Sequence, residues 1–98
     1  MTTTPKIPHL ASTALQSVMQ EIQAQDKKWG ADRDHDLSDW NLILTEEVGE
    51  LAEAILHLKF GGEKKYGLRK EAVQIAAVAL QIIEYIDRND IMESINEY

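Results

Sequence analysis

Residues 71–85 read EAVQIAAVALQIIEY, and the way these side chains distribute around a helix decides the fold. The run is too long for a strand and has no alternation of period two. At about 100° per residue, Ala72, Val73, Ile75, Ala76, Ala77, Val78, Ala79, Leu80, Ile82 and Ile83 cover nearly the full circumference. A helix apolar all round is buried on several sides. Its polar exceptions, Glu71, Gln74, Gln81 and Tyr85, fall in one narrow line. The spacing predicts a helix from about Leu68 to Arg88, closed by Asn89-Asp90, with IMESINEY adding a short C-terminal helix of one or two turns.

Working outward, Gly61-Gly62 ends a preceding helix that runs from about Asp39 to Phe60, since glycine takes a left-handed conformation cheaply. On that helix Leu44, Val48, Leu51, Ile55 and Leu58 form one apolar stripe, while Glu46 and Glu53 point away from it. Glu47 and Glu50 lie at the flank of the stripe, in a row with Ile43 and Ala54. Upstream, ADRDHDLSD is polar and without periodicity, which suits a loop, with Asp36 or Ser38 placed to cap the next helix. Leu15, Val18, Met19 and Ile22 mark a first amphipathic helix, capped by Ser12 or Thr13 and stopping near Trp29-Gly30. Residues 1–10, with Pro5 and Pro8, read as a flexible lead-in. The expectation is one all-α domain over residues 1–98: a small helical bundle of three long helices plus a short C-terminal one. Three helices do not surround a helix that is apolar all round, so a second subunit should complete the core, in a homodimer or homotetramer.

Composition narrows the function. A chain of 98 residues hides only about 60 to 70 per cent of its unfolded surface, which makes a stable monomer doubtful. With 17 acidic and 10 basic residues the net charge is −7, which argues against sequence-independent binding to a nucleic-acid backbone. There is no cysteine, hence no disulfide and no thiolate metal site. No stretch reads as a signal peptide or approaches the roughly 20 apolar residues that span a bilayer. A cytoplasmic protein without membrane contact is expected.

The carboxylates carry the chemistry. Residues three apart on a helix share a face at roughly 5 to 6 Å between Cβ atoms, so Glu47 can share a small cation with Glu50, and Glu71 with Gln74. Hard oxygen ligands suit Mg²⁺ or Mn²⁺, and such ions serve phosphate chemistry when several coordination positions stay open. A nucleotide is the leading substrate. Burying an unpaired carboxylate costs several kcal/mol, so a metal or another cation must compensate. The competing reading of the same residues is a solvated acidic face, with Glu71 paired to Arg69 or Lys70 of a neighbouring chain. A ferritin-like di-iron centre wants Glu-x-x-His pairs, whereas here Glu53 is followed four residues later by His57.

The run Glu46-Glu47-Val48-Gly49-Glu50-Leu51-Ala52-Glu53 resembles the EExxE motif of the MazG-like all-α nucleoside triphosphate pyrophosphohydrolases. Glu71-Ala72-Val73-Gln74 stands where that superfamily has ExxD, and the resemblance extends from about Asp26 to Asp87. It implies a helical dimer or tetramer that cleaves a nucleoside triphosphate, on this reading a dNTP, to the monophosphate and pyrophosphate. It also implies Glu47, Glu50 and Glu71 as Mg²⁺ ligands, Gln74 at the fourth ligand position, and Glu46 as a further acidic member that orients or deprotonates the attacking water. Gln74 is a departure from the pattern, because an amide offers one neutral oxygen where an Asp offers charge.

Other expectations are less tied to the motif. Lys59, Lys64, Lys65, Arg69 and Lys70 cluster near the connector, where they can meet phosphates or stabilise helix C-termini. Trp29 is placed to stack on a base or to pack in the core, Gln81 to contact substrate, and Trp40 to join the core. His35 and Asp36 are possible metal ligands, with capping the competing role for Asp36, while His9 and His57 carry no signal. A non-catalytic helical dimer, acting as an interaction or regulatory module, accounts equally well for the apolar third helix.

Overall fold

The computed structural model describes residues 9–63 and 66–89, with side chains from Ser12 onward. It is all-helical, without strands among the described residues: α1 spans His9–Trp29, α2 Leu37–Phe60 and α3 Leu68–Arg88. The expected short C-terminal helix, and residues 1–8 of the lead-in, lie outside the described residues. No helix described is long and apolar enough to cross a membrane.

Local chemistry sets the ends. α1 begins earlier than Ser12, because His9, Leu10 and Ala11 contain nothing that breaks a helix. Ser12 and Thr13 therefore sit within the helix, where the Thr13 carbonyl accepts from Ser17 Oγ at 3.2 Å. At the other end Gly30 takes φ 92° and its N–H returns to the Asp26 carbonyl at 2.8 Å. Asp36 caps α2: its Oδ1 accepts from the Asp39 N–H at 2.8 Å, a contact worth about 1 kcal/mol. Gly61, at φ 80°, closes α2 by donating to the His57 carbonyl at 2.8 Å.

α3 is the middle helix. Both α1 and α2 pack on it, and no Cα of α1 lies within 8 Å of one of α2. Its Ala77 and Val78 are buried against the layer to which Val18 of α1 and Trp40 and Ala54 of α2 contribute. Arg69 ties α1 to α3 through a 2.8 Å bond to Ser17 Oγ.

The face of α2 turned inward overlaps the expected one only in part. Trp40 and Ala54 are buried and Ile43 and Glu47 half-buried; of the expected stripe Leu44 and Leu51 are half-buried, whereas Val48 is 48 %, Ile55 40 % and Leu58 71 % exposed. The row that carries Glu47 is the packed row, and the neighbouring apolar stripe is largely open in the single chain. The reason lies in α3, whose polar line of Glu71, Gln74 and Gln81 faces inward. Polar side chains there need polar partners, and the Glu47 row supplies them.

Candidate metal centre and adjoining cleft

Glu71, in the first turn of α3, is only 4 % exposed. Glu47 and Glu50, one turn apart on α2, come in from the facing helix, and one carboxylate oxygen from each of the three lies within 4.8 Å of the others. Among the described residues no Lys, Arg or His forms an ion pair with any of them. The proximity leaves its mark on their proton affinity. Burial, then the adjacent Glu71 and the charge of Glu50, push the Glu47 carboxyl up to about 8. Burial and then Glu71 also raise Glu50. Such a group of carboxylates holds a proton or a cation.

Gln74 completes the cluster. With its NH₂ turned toward the acids it donates to Glu47 Oε2 at 2.8 Å and Glu71 Oε2 at 2.9 Å. Turned the other way, its carbonyl joins the carboxylate oxygens, an arrangement that only a cation or a carboxyl proton stabilises. Three converging carboxylates and an amide oxygen fit a hard divalent ion that keeps several positions for water or phosphate. Glu46 lies outside this group, exposed one turn before Glu50. Tyr66 of the connector is close enough to be affected: burial first, then Glu53, Glu50, Glu71 and Glu46, raise its phenol.

If Gln74 is a ligand, Gln74→Asp should raise Mg²⁺ affinity about tenfold in isothermal titration, because ligand charge sets affinity at such sites. Equal affinity in the two proteins would place Gln74 outside the coordination shell.

A cleft of about 590 Å³ opens beside the cluster. Glu21, Gln25, Lys28 and Trp29 line it from α1; Trp40, Ile43 and Glu47 from α2; Gln74, Val78 and Gln81 form its α3 floor; Arg33 and His35 enter from the loop. Its volume lies in the range of small-molecule sites. Seven residues, or roughly 10 Å of helix, separate Glu47 from Trp40 and Gln74 from Gln81, about the reach from a nucleotide's phosphate to its base. The far end is aromatic: His35 meets Trp40 edge-on at 5.0 Å, and Trp29, 62 % exposed, carries Lys28 Nζ 4.7 Å from its ring centre. Trp29 is thus a rim residue and not part of the core, whereas Trp40 is core. Beside the cleft, Gln81 Oε1 and Trp40 Nε1 are buried without hydrogen-bond partners.

The basic residues read from the sequence are placed differently. Lys59 is exposed in the last turn of α2, its Nζ 5.9 Å from the Phe60 ring, and does not line the cleft. Lys64 and Lys65 lie outside the described residues, and Arg69 is engaged with Ser17. Asp36 caps α2. Lys28 and Arg33, which line the cleft with His35, carry no assignment from the sequence, and His35 reads there as a possible metal ligand, because only the tertiary arrangement brings a helix end and a loop to one wall. No family model, curated protein or solved structure matches the chain.

Proposed function

We propose that the chain is a MazG-like, magnesium-dependent nucleoside triphosphate pyrophosphohydrolase that converts a dNTP to the monophosphate and pyrophosphate, working as a homodimer or homotetramer. One observation carries this reading: Glu47, Glu50 and Glu71 converge without a cationic partner among the described residues, and Glu47 lines a nucleotide-sized cleft. Glu47, Glu50 and Glu71, with Gln74, would hold Mg²⁺, or Mn²⁺ in its place. Bound there, the ion supplies charge neutralisation for the triphosphate and makes a water more acidic.

The chain's own groups do the rest. Trp29 offers the base an aromatic surface, worth about 1 to 3 kcal/mol per stacked base. Gln81 offers it an amide. Lys28 and Arg33 add positive charge to a wall that would otherwise repel a polyanion. Water attacks the α-phosphorus, the bond from that phosphorus to the bridging oxygen breaks, and pyrophosphate leaves with the bonding pair. Glu46, exposed and adjacent to Glu47 in the chain, would take the proton of the attacking water.

Incubation with a panel of NTPs and dNTPs, with Mg²⁺ and separately with Mn²⁺, and measurement of pyrophosphate tests this. Release from at least one substrate, abolished by chelation, is the expected result. No product across the panel would overturn it. The alternative is then the non-catalytic helical dimer, which the open stripe of Val48, Ile55 and Leu58 on α2 favours.

A further inference from the structure

The loop at residues 30–36 joins α1 to α2, and it places Arg33 and His35 in the cleft wall. It has little apolar anchorage: Ala31, Asp32, Asp34 and Asp36 are exposed. Asp32 sits at φ 53°, a conformation that a side chain other than glycine's adopts at some cost. Two guanidinium groups hold this loop. Arg33 acts locally, donating to the carbonyls of Gly30 at 2.6 Å and Gln25 at 3.2 Å. Arg88 acts at long range. From the last turn of α3 it donates to Asp34 Oδ1 at 3.0 Å, Asp32 Oδ1 at 3.4 Å and the Arg33 carbonyl at 3.4 Å. Beneath the loop, Arg88 shares the lining of a small void of about 30 Å³ with Trp40 and Gln81, which also line the cleft.

We infer that Arg88 is a positioning residue: it fixes the loop wall of the cleft and so sets how tightly nucleotide is held, without touching it. This rests on the reading of the cleft as a nucleotide site. A planar fork satisfies three acceptors on one strained loop, which a lysine ammonium at the end of a flexible stem does not reproduce. The contact is exposed, Asp32 and Asp34 being 71 % and 63 % open at their side chains, so its effect falls on local order more than on global stability.

The test uses the full chain, its Arg88→Ala and Arg88→Lys variants, and two kinds of readout. Backbone order parameters of residues 31–35, from ¹⁵N relaxation, should fall from about 0.85 to below about 0.6 in Arg88→Ala, with partial recovery in Arg88→Lys. High salt should loosen the same residues in the unmodified protein, because exposed ion pairs are screened. In turnover, KM for the preferred triphosphate should rise about fivefold with kcat within about twofold, and Mg²⁺ affinity should not change. Unaltered order parameters in Arg88→Ala overturn the inference, as does a loss of kcat at constant KM. The relaxation and Mg²⁺ readouts need no turnover. An inactive but loosened variant set, with the unmodified protein also inactive, would therefore count against the enzymatic reading and leave the loop contact standing.

Discussion

Glu71→Gln is expected to give a protein that melts higher than the unmodified chain in chelator and no longer responds to Mg²⁺. Glu71 is buried beside Glu47 and Glu50 and, among the described residues, forms no ion pair with a cationic side chain. Replacing its carboxylate by an amide of the same size removes the desolvation of that charge and, above about pH 8 where Glu47 is ionised, its repulsion of Glu47 and Glu50. Each kcal/mol recovered moves the melting temperature by about 4 to 8 °C in a domain of this size. The same substitution deletes the most buried ligand, so pyrophosphate release should fall by about two orders of magnitude or more. Gain of stability with loss of turnover separates a functional centre from a structural one. A lower melting temperature in chelator would instead make Glu71 a structural partner of Gln74, and would count against its place in a metal centre.

The second large effect joins pH to metal. The folded chain raises Glu47 from 4.5 to about 8, mainly through burial, with Glu71 and Glu50 acting in the same direction. Between those values the folded state binds more protons than the unfolded one, so stability falls as pH rises. The contribution is fully present below 4.5 and is lost as pH passes about 8. Glu50, also raised, acts with the same sign. Asp34 runs the other way: the hydrogen bond from Arg88 lowers its carboxyl, and its stabilisation is lost only in acid, outside this window. Thermal melts in chelator should therefore decline from weakly acidic to weakly alkaline pH. Saturating Mg²⁺ should reverse the slope, because the ion binds the ionised carboxylates. At a hundred times its dissociation constant a ligand adds about 2.7 kcal/mol, or roughly 10 to 20 °C here. Melting curves indifferent to both pH and Mg²⁺ would remove the metal centre from consideration.

The helices were readable from sequence because their ends are local chemistry. Gly30 and Gly61 take positive φ, and Asp36 holds the first amides of α2. The inward face of α2 was not readable in the same way. Hydrophobicity ranked the Val48–Ile55 stripe above its neighbour, but the packing choice belongs to α3, which presents Glu71 and Gln74 and so selects the row with Glu47. The cluster itself was legible, since three-residue spacing on two helices needs only those helices to face each other. The cleft was legible in part. Trp29 and Gln81 lie in it, whereas Lys28, Arg33 and His35 belong to a helix end and an aperiodic loop whose direction no periodicity encodes. Glu46, one residue from Glu47, is exposed because a step of about 100° takes it off the packed face.

That α1 and α2 both rest on α3, with no Cα of one within 8 Å of the other's, separates two kinds of change in this molecule. The cluster end of the cleft is built from facing positions of α2 and α3, where a substitution disturbs buried contacts. The opposite wall is α1 and a loop, whose cleft residues Glu21, Gln25, Lys28, Trp29 and Arg33 are only half-buried or exposed. Selection on those side chains can alter which ligand is accepted while the packing that holds the carboxylates together stays the same.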